Sequence, residues 1–235
     1  MLQDFYNKNK DKSFKLEPLP DLSVQEQAEW ILQQKHIGWI KLDIQFDVDL
    51  WKKQALEAEG NYHEYEGNDT RAWSSCCIHG LGTKKVFPAD TYGFDEFSTP
   101  HSYTELAEKV PSVTNFWKND FPHTRYSRIR FMKLGAGGYL GVHSDGDVPA
   151  QINRLDYIIP INLAISHPAG CDWIVEGCGT VPWNEGDVFL IDVSKNHCVI
   201  NHSDETRLHM VAYVFLDGDK KDFSELLVRS YSKML

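Results

Sequence analysis

The sequence lacks any long hydrophobic run. Nowhere do eighteen apolar residues follow one another, which is about the minimum for a membrane-spanning helix. The opening segment, MLQDFYNKNKDKSFKLEPLPDL, contains no apolar core of signal-peptide length. We therefore expect a soluble, cytoplasmic protein with no membrane partner.

Positive charge is also scarce. The chain has 24 basic against 34 acidic residues, and its formal net charge is -10. A protein with this charge repels polyanions overall. We expect no nucleic-acid partner, and nothing in the sequence indicates an obligate protein partner.

Cysteines are few, and their spacing is not that of a metal or disulfide framework. The chain has five, an odd number, and no CxxC pair. This argues against a structural zinc site and favours reduced thiols. Internal repeats and low-complexity tracts are absent too, and 235 residues with 42% hydrophobic content are enough for one domain with a full core.

The first half of the chain shows helical patterns. Ser23 followed by Glu26 has the spacing of a capping box, which predicts a helix over about 24–36. The stretch 61–101 is rich in glycine and is expected to be mostly loop with short strands. We interpret 1–123 as a mixed helical support region. Its other predicted helices are 47–60, SYTELAEKV and PSVTNFWKNDF.

From about residue 124 the pattern changes to short β-rich runs separated by Gly, Pro, Asn and Asp clusters. Seven or eight strands with no long helix between them are typical of a jelly roll. We therefore expect a mainly β fold, with its β core at 124–217 and a closing helical tail at 218–235 packed on the same domain. The runs are TRYSRIRFMKL, GGYLGVH, LDYIIPINLAI, CDWIVEG, DVFLID, HCVIN and TRLHMVAYVFL.

The tripeptide His-Ser-Asp occurs twice, at 143–145 and at 202–204. Chance predicts about 1.4 His-x-Asp/Glu matches in a chain of this composition, so the tripeptide alone means little. The first copy ends a strand-like run, which lets His143 and Asp145 project from the strand end on one side. The second copy lies in NHSDET, which has the composition of a hairpin turn.

A third histidine completes a metal-binding pattern with the first copy. His197 starts the run HCVIN, a strand that can lie beside the one ending at His143. Two histidines and one carboxylate leave three positions open on Fe(II). Arg207 follows ten residues after His197, on the same face of its strand as His209. A buried guanidinium needs a carboxylate partner, which a dicarboxylate cosubstrate would provide.

This arrangement resembles the iron- and 2-oxoglutarate-dependent dioxygenases. Within them, WNEGDVFLID followed by HCVINHSDETRLHMVAYVF is similar to the aspartyl/asparaginyl β-hydroxylase family, and the resemblance covers roughly 124–216. It implies a double-stranded β-helix (jelly roll, cupin-like) with N-terminal helices. It also implies an enzyme that uses Fe(II), 2-oxoglutarate and O2 to hydroxylate an amino-acid carbon, releasing succinate and CO2.

The resemblance implies roles for individual residues. The implied Fe(II) ligands, which are also the catalytic residues, are His143, Asp145 and His197. The implied cosubstrate contacts are Arg207, which pairs with the distal carboxylate of 2-oxoglutarate, and Trp73 and Asn162.

Candidate substrate residues come from strand alternation. TRYSRIRFMKL places Arg128 and Arg130 on one face, where core residues would be expected. These arginines suit a substrate carboxylate. An alternative of equal weight is that they are exposed to solvent or paired with acidic residues such as Asp147. Arg154 and His209 are further candidates. The substrate is either a free amino acid, such as proline, aspartate or asparagine, or a side chain in a peptide.

A second hypothesis is a cupin-like protein that binds or senses a metal or ligand without oxidative turnover, because fold does not determine function. Arg207 discriminates between the two hypotheses. A simple metal binder has no need of a buried guanidinium ten residues beyond its last ligand.

Overall fold

The computed structural model describes residues 1–65, 69–95, 98–145, 158–216 and 221–235. No helix within these ranges is long and apolar enough to cross a membrane. The helices in the described part of the chain are α1 (Leu2–Asn9), α2 (Val24–Gln33), α3 (Val48–Ala55), α4 (Leu106–Lys109), α5 (Pro111–Asn115) and α6 (Lys221–Met234).

The strands all belong to one curled antiparallel sheet. In chain order they are β1 (Trp39–Lys41), β2 (His63–Glu64), β3 (Thr70–Gly80), β4 (Ser102–Tyr103), β5 (Arg125–His143), β6 (Ile158–Ser166), β7 (Cys171–Val175), β8 (Gly179–Thr180), β9 (Val188–Ile191), β10 (His197–Asn201) and β11 (Arg207–Phe215). Most of the predicted β-rich runs are strands, and the jelly-roll prediction is confirmed.

Helix α2 begins where the capping box predicted. The Glu26 backbone N–H donates to Ser23 Oγ at 3.4 Å, and the Ser23 N–H donates to Glu26 Oε2 at 3.0 Å. The helix ends at Gln33, three residues short of the predicted end. It packs against α6, which is the predicted closing helix.

The other predicted helices are shorter than their sequence patterns. Residues 47–60 form α3 followed by a 3-10 turn at Leu56–Ala58. Pro111 starts α5, as its position in PSVTNFWKNDF suggested, and a π turn over Phe116–Asp120 continues it. Helix α1 was not predicted. It is held by tertiary contacts, including a hydrogen bond from the Tyr6 O–H to Asp172 Oδ2 at 2.7 Å.

Strand β5 organises the sheet because it is long enough to pair with different neighbours along its length. Its first part pairs with β11, with Arg207 opposite Leu134. Its last part pairs with β10, with His197 opposite His143. The resulting order is β1-β9-β6-β11-β5-β10-β7-β8, so β5 joins the strands up to β11 to those from β10 onward.

The two faces of β5 contribute to different parts of the core. Ile129 and Phe131 pack in a cluster that includes residues of the helices. Met132 and Leu134 point the other way and pack with tryptophans of β3 and β7. The period of two therefore separates a helix-covered face from a face that lies inside the curled sheet. The five cysteines are free and buried, as predicted.

Two sequence expectations about strands were wrong. Most of the described residues in 61–101 are loop, as expected, but the expectation of short strands is wrong for β3, which runs for eleven residues and pairs with β5. Its run Cys76–Ile78 is buried throughout, so it lacks the alternation that reveals a half-exposed strand. TRYSRIRFMKL and GGYLGVH are also one continuous strand. The strand pairs with β3 on one side and with β11 and then β10 on the other, and between these ladders the register with β3 shifts and Gly137 has a positive φ of 63°.

Candidate metal and cosubstrate site

Strand pairing brings the first His-Ser-Asp copy and His197 together. His143 ends β5, His197 begins β10, and their ring centroids lie 4.2 Å apart. Asp145 follows in the next loop, where its backbone N–H donates to the Val193 carbonyl at 3.0 Å. One ligand atom from each of the three side chains lies within 4.8 Å of the others. The geometry is that of a three-residue metal-binding corner.

Backbone carbonyls determine which nitrogen each of these histidines offers. His143 Nδ1 lies 2.8 Å from the Gly141 carbonyl oxygen, and His197 Nδ1 lies 3.0 Å from the Lys195 carbonyl oxygen. A carbonyl only accepts, so Nδ1 carries the proton and Nε2 keeps its lone pair for a metal. Burial, with a smaller effect of the neighbouring His143, lowers the pKa of His197 to about 4. His197 is therefore neutral at physiological pH, the form that binds metals.

Asp145 completes the donor set. Its Oδ1 lies 3.7 Å from His143 Nε2, and its Oδ2 accepts a 3.4 Å hydrogen bond from the Tyr213 O–H. Two neutral imidazoles and one carboxylate are the ligands of non-haem Fe(II) oxygenase sites, which leave coordination positions open. The residues present therefore fit Fe(II).

The second His-Ser-Asp copy lies elsewhere. Residues 202–204 fall in the turn between β10 and β11, and both His202 and Asp204 are exposed. Within the described part of the chain, the grouping of His143, Asp145 and His197 is the one with metal-binding geometry. The structure thus separates two identical tripeptides by their strand context.

Arg207 is a buried cation with unused donors. Its side chain is 0% exposed, and Nη2 donates to His209 Nδ1 at 2.7 Å. Nε and Nη1 have no hydrogen-bond partner among the described residues. Burial lowers its pKa to about 10, so it stays charged at neutral pH. Because an unsatisfied buried charge is costly, this site calls for an anionic ligand, and a 2-oxoglutarate carboxylate fits it.

Aromatic rings and an amide surround that guanidinium. Its Cζ lies 5.9 Å from the Trp73 ring centroid and 5.3 Å from that of Trp173. On β6, the Asn162 side chain is buried, and its Nδ2 has no hydrogen-bond partner in the described part of the chain. Trp73 and Asn162, both predicted from the resemblance, therefore lie beside Arg207 or share its cavity.

One cavity of about 420 Å³ gathers the predicted site residues. This volume is within the usual range for small-molecule sites. Arg154 is the exception, since it lies outside the described residues. The predicted residues that line the cavity are Trp73, Arg128, Arg130, His143, Asp145, Asn162, His197, Arg207 and His209.

Arg128 and Arg130 are buried in this cavity, so the alternative that they are exposed is wrong. Each donates from Nη1 to the Val86 carbonyl, at 3.1 and 2.7 Å respectively. Both guanidiniums lie over the Tyr213 ring, with Cζ at 4.7 and 5.6 Å from its centroid. The suggested pairing with Asp147 falls outside the described residues.

Several cavity residues were not anticipated from the sequence. Tyr65, whose hydroxyl oxygen accepts a hydrogen bond from Arg130 Nη1 at 2.9 Å, comes from a loop with no periodic pattern. Trp173 also lines the cavity, and its ring lies 5.9 Å from that of His197 between centroids. The sequence signal for Trp173 was its place in a β-rich run, which does not distinguish core from cavity.

His209 has no ring nitrogen left for a substrate. Nδ1 accepts from Arg207, and Nε2 lies 2.9 Å from His167 Nδ1. The predicted substrate contact is therefore not favoured by this geometry. The hydrogen-bond partner of Nε2, His167, was not among the predicted site residues.

Comparisons with known proteins agree with the site. The family model described as Aspartyl/Asparaginyl beta-hydroxylase matches residues 23–215. A 2OG-Fe(II) oxygenase family protein from Burkholderia pseudomallei is 14% identical with a TM-score of 0.51, covering 85% of this chain and 93% of that chain. A prolyl-4-hydroxylase from Pseudomonas putida is 13% identical with a TM-score of 0.45, covering 83% and 100% respectively. The similarity to the Burkholderia pseudomallei protein shows a shared fold. No curated protein sequence matches significantly.

Proposed function

The chain belongs to the aspartyl/asparaginyl β-hydroxylase family, and on that premise we propose that it hydroxylates a carbon of an amino-acid substrate that carries a carboxylate. It is a 2-oxoglutarate-dependent dioxygenase whose cofactor is Fe(II) and whose cosubstrates are 2-oxoglutarate and O2. When bound, the iron would let 2-oxoglutarate and O2 supply the oxidant for a substrate C–H bond, with one oxygen atom of O2 going to the product and the other to succinate as CO2 is released. The observation that carries the proposal is the buried, partly unsatisfied guanidinium of Arg207 in the same cavity as the His-Asp-His group.

The first part of the proposal concerns the metal. His143 and His197 would each offer Nε2, because their Nδ1 protons are held by backbone carbonyls. Asp145 would offer a carboxylate oxygen, with the Tyr213 hydroxyl bonded to the other oxygen. These contacts restrict ring and carboxylate rotation, which favours tight binding because little motion is lost on coordination.

The second part concerns 2-oxoglutarate. Arg207 would pair with its distal carboxylate, and the free amide N–H of Asn162 offers a further donor in the same cavity. The rings of Trp73 and Trp173, whose centroids lie 5.9 and 5.3 Å from the Arg207 Cζ atom, would help to exclude water from the pair. An ion pair in such low-dielectric surroundings is stronger than one at the surface.

The third part concerns the substrate. Arg130 forms no ion pair with a described carboxylate, and its Nε has no hydrogen-bond partner among the described residues. A substrate carboxylate would satisfy this buried cation, with Arg128 beside it on the same face of β5. Both arginines line the cavity that contains the proposed metal ligands. This favours a free amino acid, whose own carboxylate is available, or an Asp residue of a peptide, over an Asn residue of a peptide, which offers these arginines no carboxylate.

The alternative of a non-oxidative cupin-like metal binder accounts for less. It explains the histidines and Asp145 but assigns no role to a buried arginine with free donors. Membership of a hydroxylase family also favours the oxidative reading.

Arg207→Met tests the proposal, with the exposed Arg71→Met as the matched control. Anaerobic titration of the Fe(II)-loaded protein with 2-oxoglutarate is followed by the visible band of the chelate. We expect Arg207→Met to weaken 2-oxoglutarate binding by about 100-fold, the loss of one charged hydrogen-bonded pair. Iron affinity should stay unchanged, and Arg71→Met should bind both normally. Unchanged 2-oxoglutarate affinity in Arg207→Met would contradict the proposed function.

A further inference from the structure

We infer that His209 and His167 are positioning residues that orient the guanidinium of Arg207 for 2-oxoglutarate through a one-directional chain of hydrogen bonds. The inference rests on the proposed role of Arg207. Neither histidine needs to touch the cosubstrate, because both act through the arginine.

Three hydrogen bonds form the chain. Arg207 Nη2 lies 2.7 Å from His209 Nδ1, and His209 Nε2 lies 2.9 Å from His167 Nδ1. His167 Nε2 lies 2.8 Å from the Cys171 carbonyl oxygen. All four ring nitrogens are therefore used, and the chain runs from a side chain on β11 to the backbone of β7.

The two ends determine every proton in between. A guanidinium only donates, and a carbonyl only accepts. His209 must then accept at Nδ1 and donate from Nε2, and His167 must do the same. One arrangement of protons satisfies all three bonds, and in it both rings are neutral.

Burial maintains that neutral state. Burial, followed by the charge of Arg207, lowers the pKa of His167 to about 4 and that of His209 well below its ordinary value. The Trp183 ring covers the pair, with its centroid 4.5 Å from that of His209 and 6.0 Å from that of His167. A proton added to either ring would place two hydrogen-bond donors face to face. The chain of hydrogen bonds therefore forms only while both rings are neutral.

The chain has a consequence for Arg207. A long, flexible side chain loses conformational freedom on binding a ligand. The bond to His209 holds one nitrogen in place beforehand and leaves Nε and Nη1 without partners among the described residues. Since His167 follows β6 and Cys171 begins β7, the orientation of the arginine is tied to the segment that joins these two strands.

Two variants of His209 separate this role from packing. His209→Leu removes the acceptor for Arg207, whereas His209→Asn keeps an acceptor, Oδ1, close to the position of Nδ1. Calorimetric titration of the anaerobic Fe(II)-loaded protein with 2-oxoglutarate should show about 10- to 100-fold weaker binding for His209→Leu. His209→Asn should show a clearly smaller loss, because it keeps the acceptor for Arg207 and loses only the bond to His167. The KM for 2-oxoglutarate should follow the same pattern, with kcat at saturation and iron affinity unchanged.

Wild-type affinity in His209→Leu, or equal losses in both variants, would overturn the inference while leaving the proposed function intact. Absence of 2-oxoglutarate binding in the wild type would instead overturn both. The exposed His202→Leu serves as the histidine control.

Nitrogen-15 NMR of the histidine rings gives an independent test that needs no variant. From the three hydrogen bonds we expect both His167 and His209 to be neutral near pH 7, with the ring proton on Nε2. A proton on Nδ1 of either ring, or a doubly protonated ring, would contradict it.

Discussion

His143 and His197 take their metal-binding form from the backbone rather than from side chains. In each case a carbonyl two residues earlier in the chain, from Gly141 or Lys195, accepts the Nδ1 proton. The local chain thus sets the tautomer before any metal arrives. The second His-Ser-Asp copy has no third metal-ligating side chain near it among the described residues, so it serves as a natural control within the same protein.

Replacement of one proposed ligand should remove metal binding, and replacement of its counterpart in the second copy should not. For His143→Ala we expect Fe(II) affinity to fall by more than about 100-fold, because loss of even an outer partner of a ligand costs about 10- to 100-fold. His202→Ala should bind as the wild type does. Anaerobic equilibrium dialysis measures both, and equal affinities in the two variants would argue against His143 as a ligand.

Arg130 and Lys133 offer a matched pair for the substrate site. Arg130 lies in the cavity, whereas Lys133 pairs with Glu59 on the other face of β5. Arg130→Met should raise the KM for an amino-acid substrate by about 10-fold or more, since a charged hydrogen bond contributes roughly 1.5–3 kcal/mol. Lys133→Met should leave the KM unchanged. Succinate release in the presence of candidate amino acids provides the measurement. An unchanged substrate KM in Arg130→Met would show that Arg130 does not bind the substrate.

At the scale of elements, the second half of β5 connects the metal site to β3. Gly141 donates its N–H to the Asp69 carbonyl at 2.6 Å and presents its own carbonyl to His143. A Cβ at this position would lie 2.8 Å from that Asp69 oxygen, closer than carbon and oxygen atoms pack. The strand therefore needs glycine here because of a close backbone approach.

Gly141→Ala should damage both stability and metal binding. We expect a loss of about 1–3 kcal/mol in the free energy of unfolding, the usual cost of overpacking, and weaker Fe(II) binding because the carbonyl that orients His143 must shift. Ala136→Ser, at an exposed position of the same strand, is the control. Urea unfolding and metal titration test the two effects. Wild-type stability and Fe(II) affinity in Gly141→Ala would show that the backbone at Asp69, just before β3, moves away at little cost.

At the scale of the whole molecule, several histidines are buried in the neutral form. Burial is the largest cause that lowers the pKa of His79, His167 and His197, each to about 4. In the unfolded chain these rings take up protons near pH 6.5. Between these two values the unfolded state binds more protons, so stability falls as the pH falls.

The metal-free protein should therefore lose stability from about pH 6.5 down to about pH 4, by up to ~1.4 kcal/mol per pH unit for each such histidine. His79 lies outside the metal cavity, bonded to the Ser127 carbonyl. His79→Gln should reduce the slope of unfolding free energy against pH by about one proton. An unaltered slope in His79→Gln would mean that the pKa of this ring is not lowered by folding.

Prediction from the sequence succeeded where local pattern and spacing carry the information. The strand runs after residue 124 and the cap at Ser23 follow from periodicity and neighbouring residues. It failed for β3, whose residues are covered on both faces, and for α1, which contacts β5 and β7. Such elements depend on partners far away in the chain, and no local pattern reports them.

The sequence by itself determined the jelly-roll class, the family and hence the cofactor chemistry, because these follow from strand content and from the spacing of a few motif residues. Only the tertiary structure decided which polar groups meet. It placed Tyr65 against Arg130 and His167 behind His209 and Arg207. The physical reason is that hydrogen-bond partners, burial and proton positions depend on the register between strands distant in sequence, which no single segment encodes.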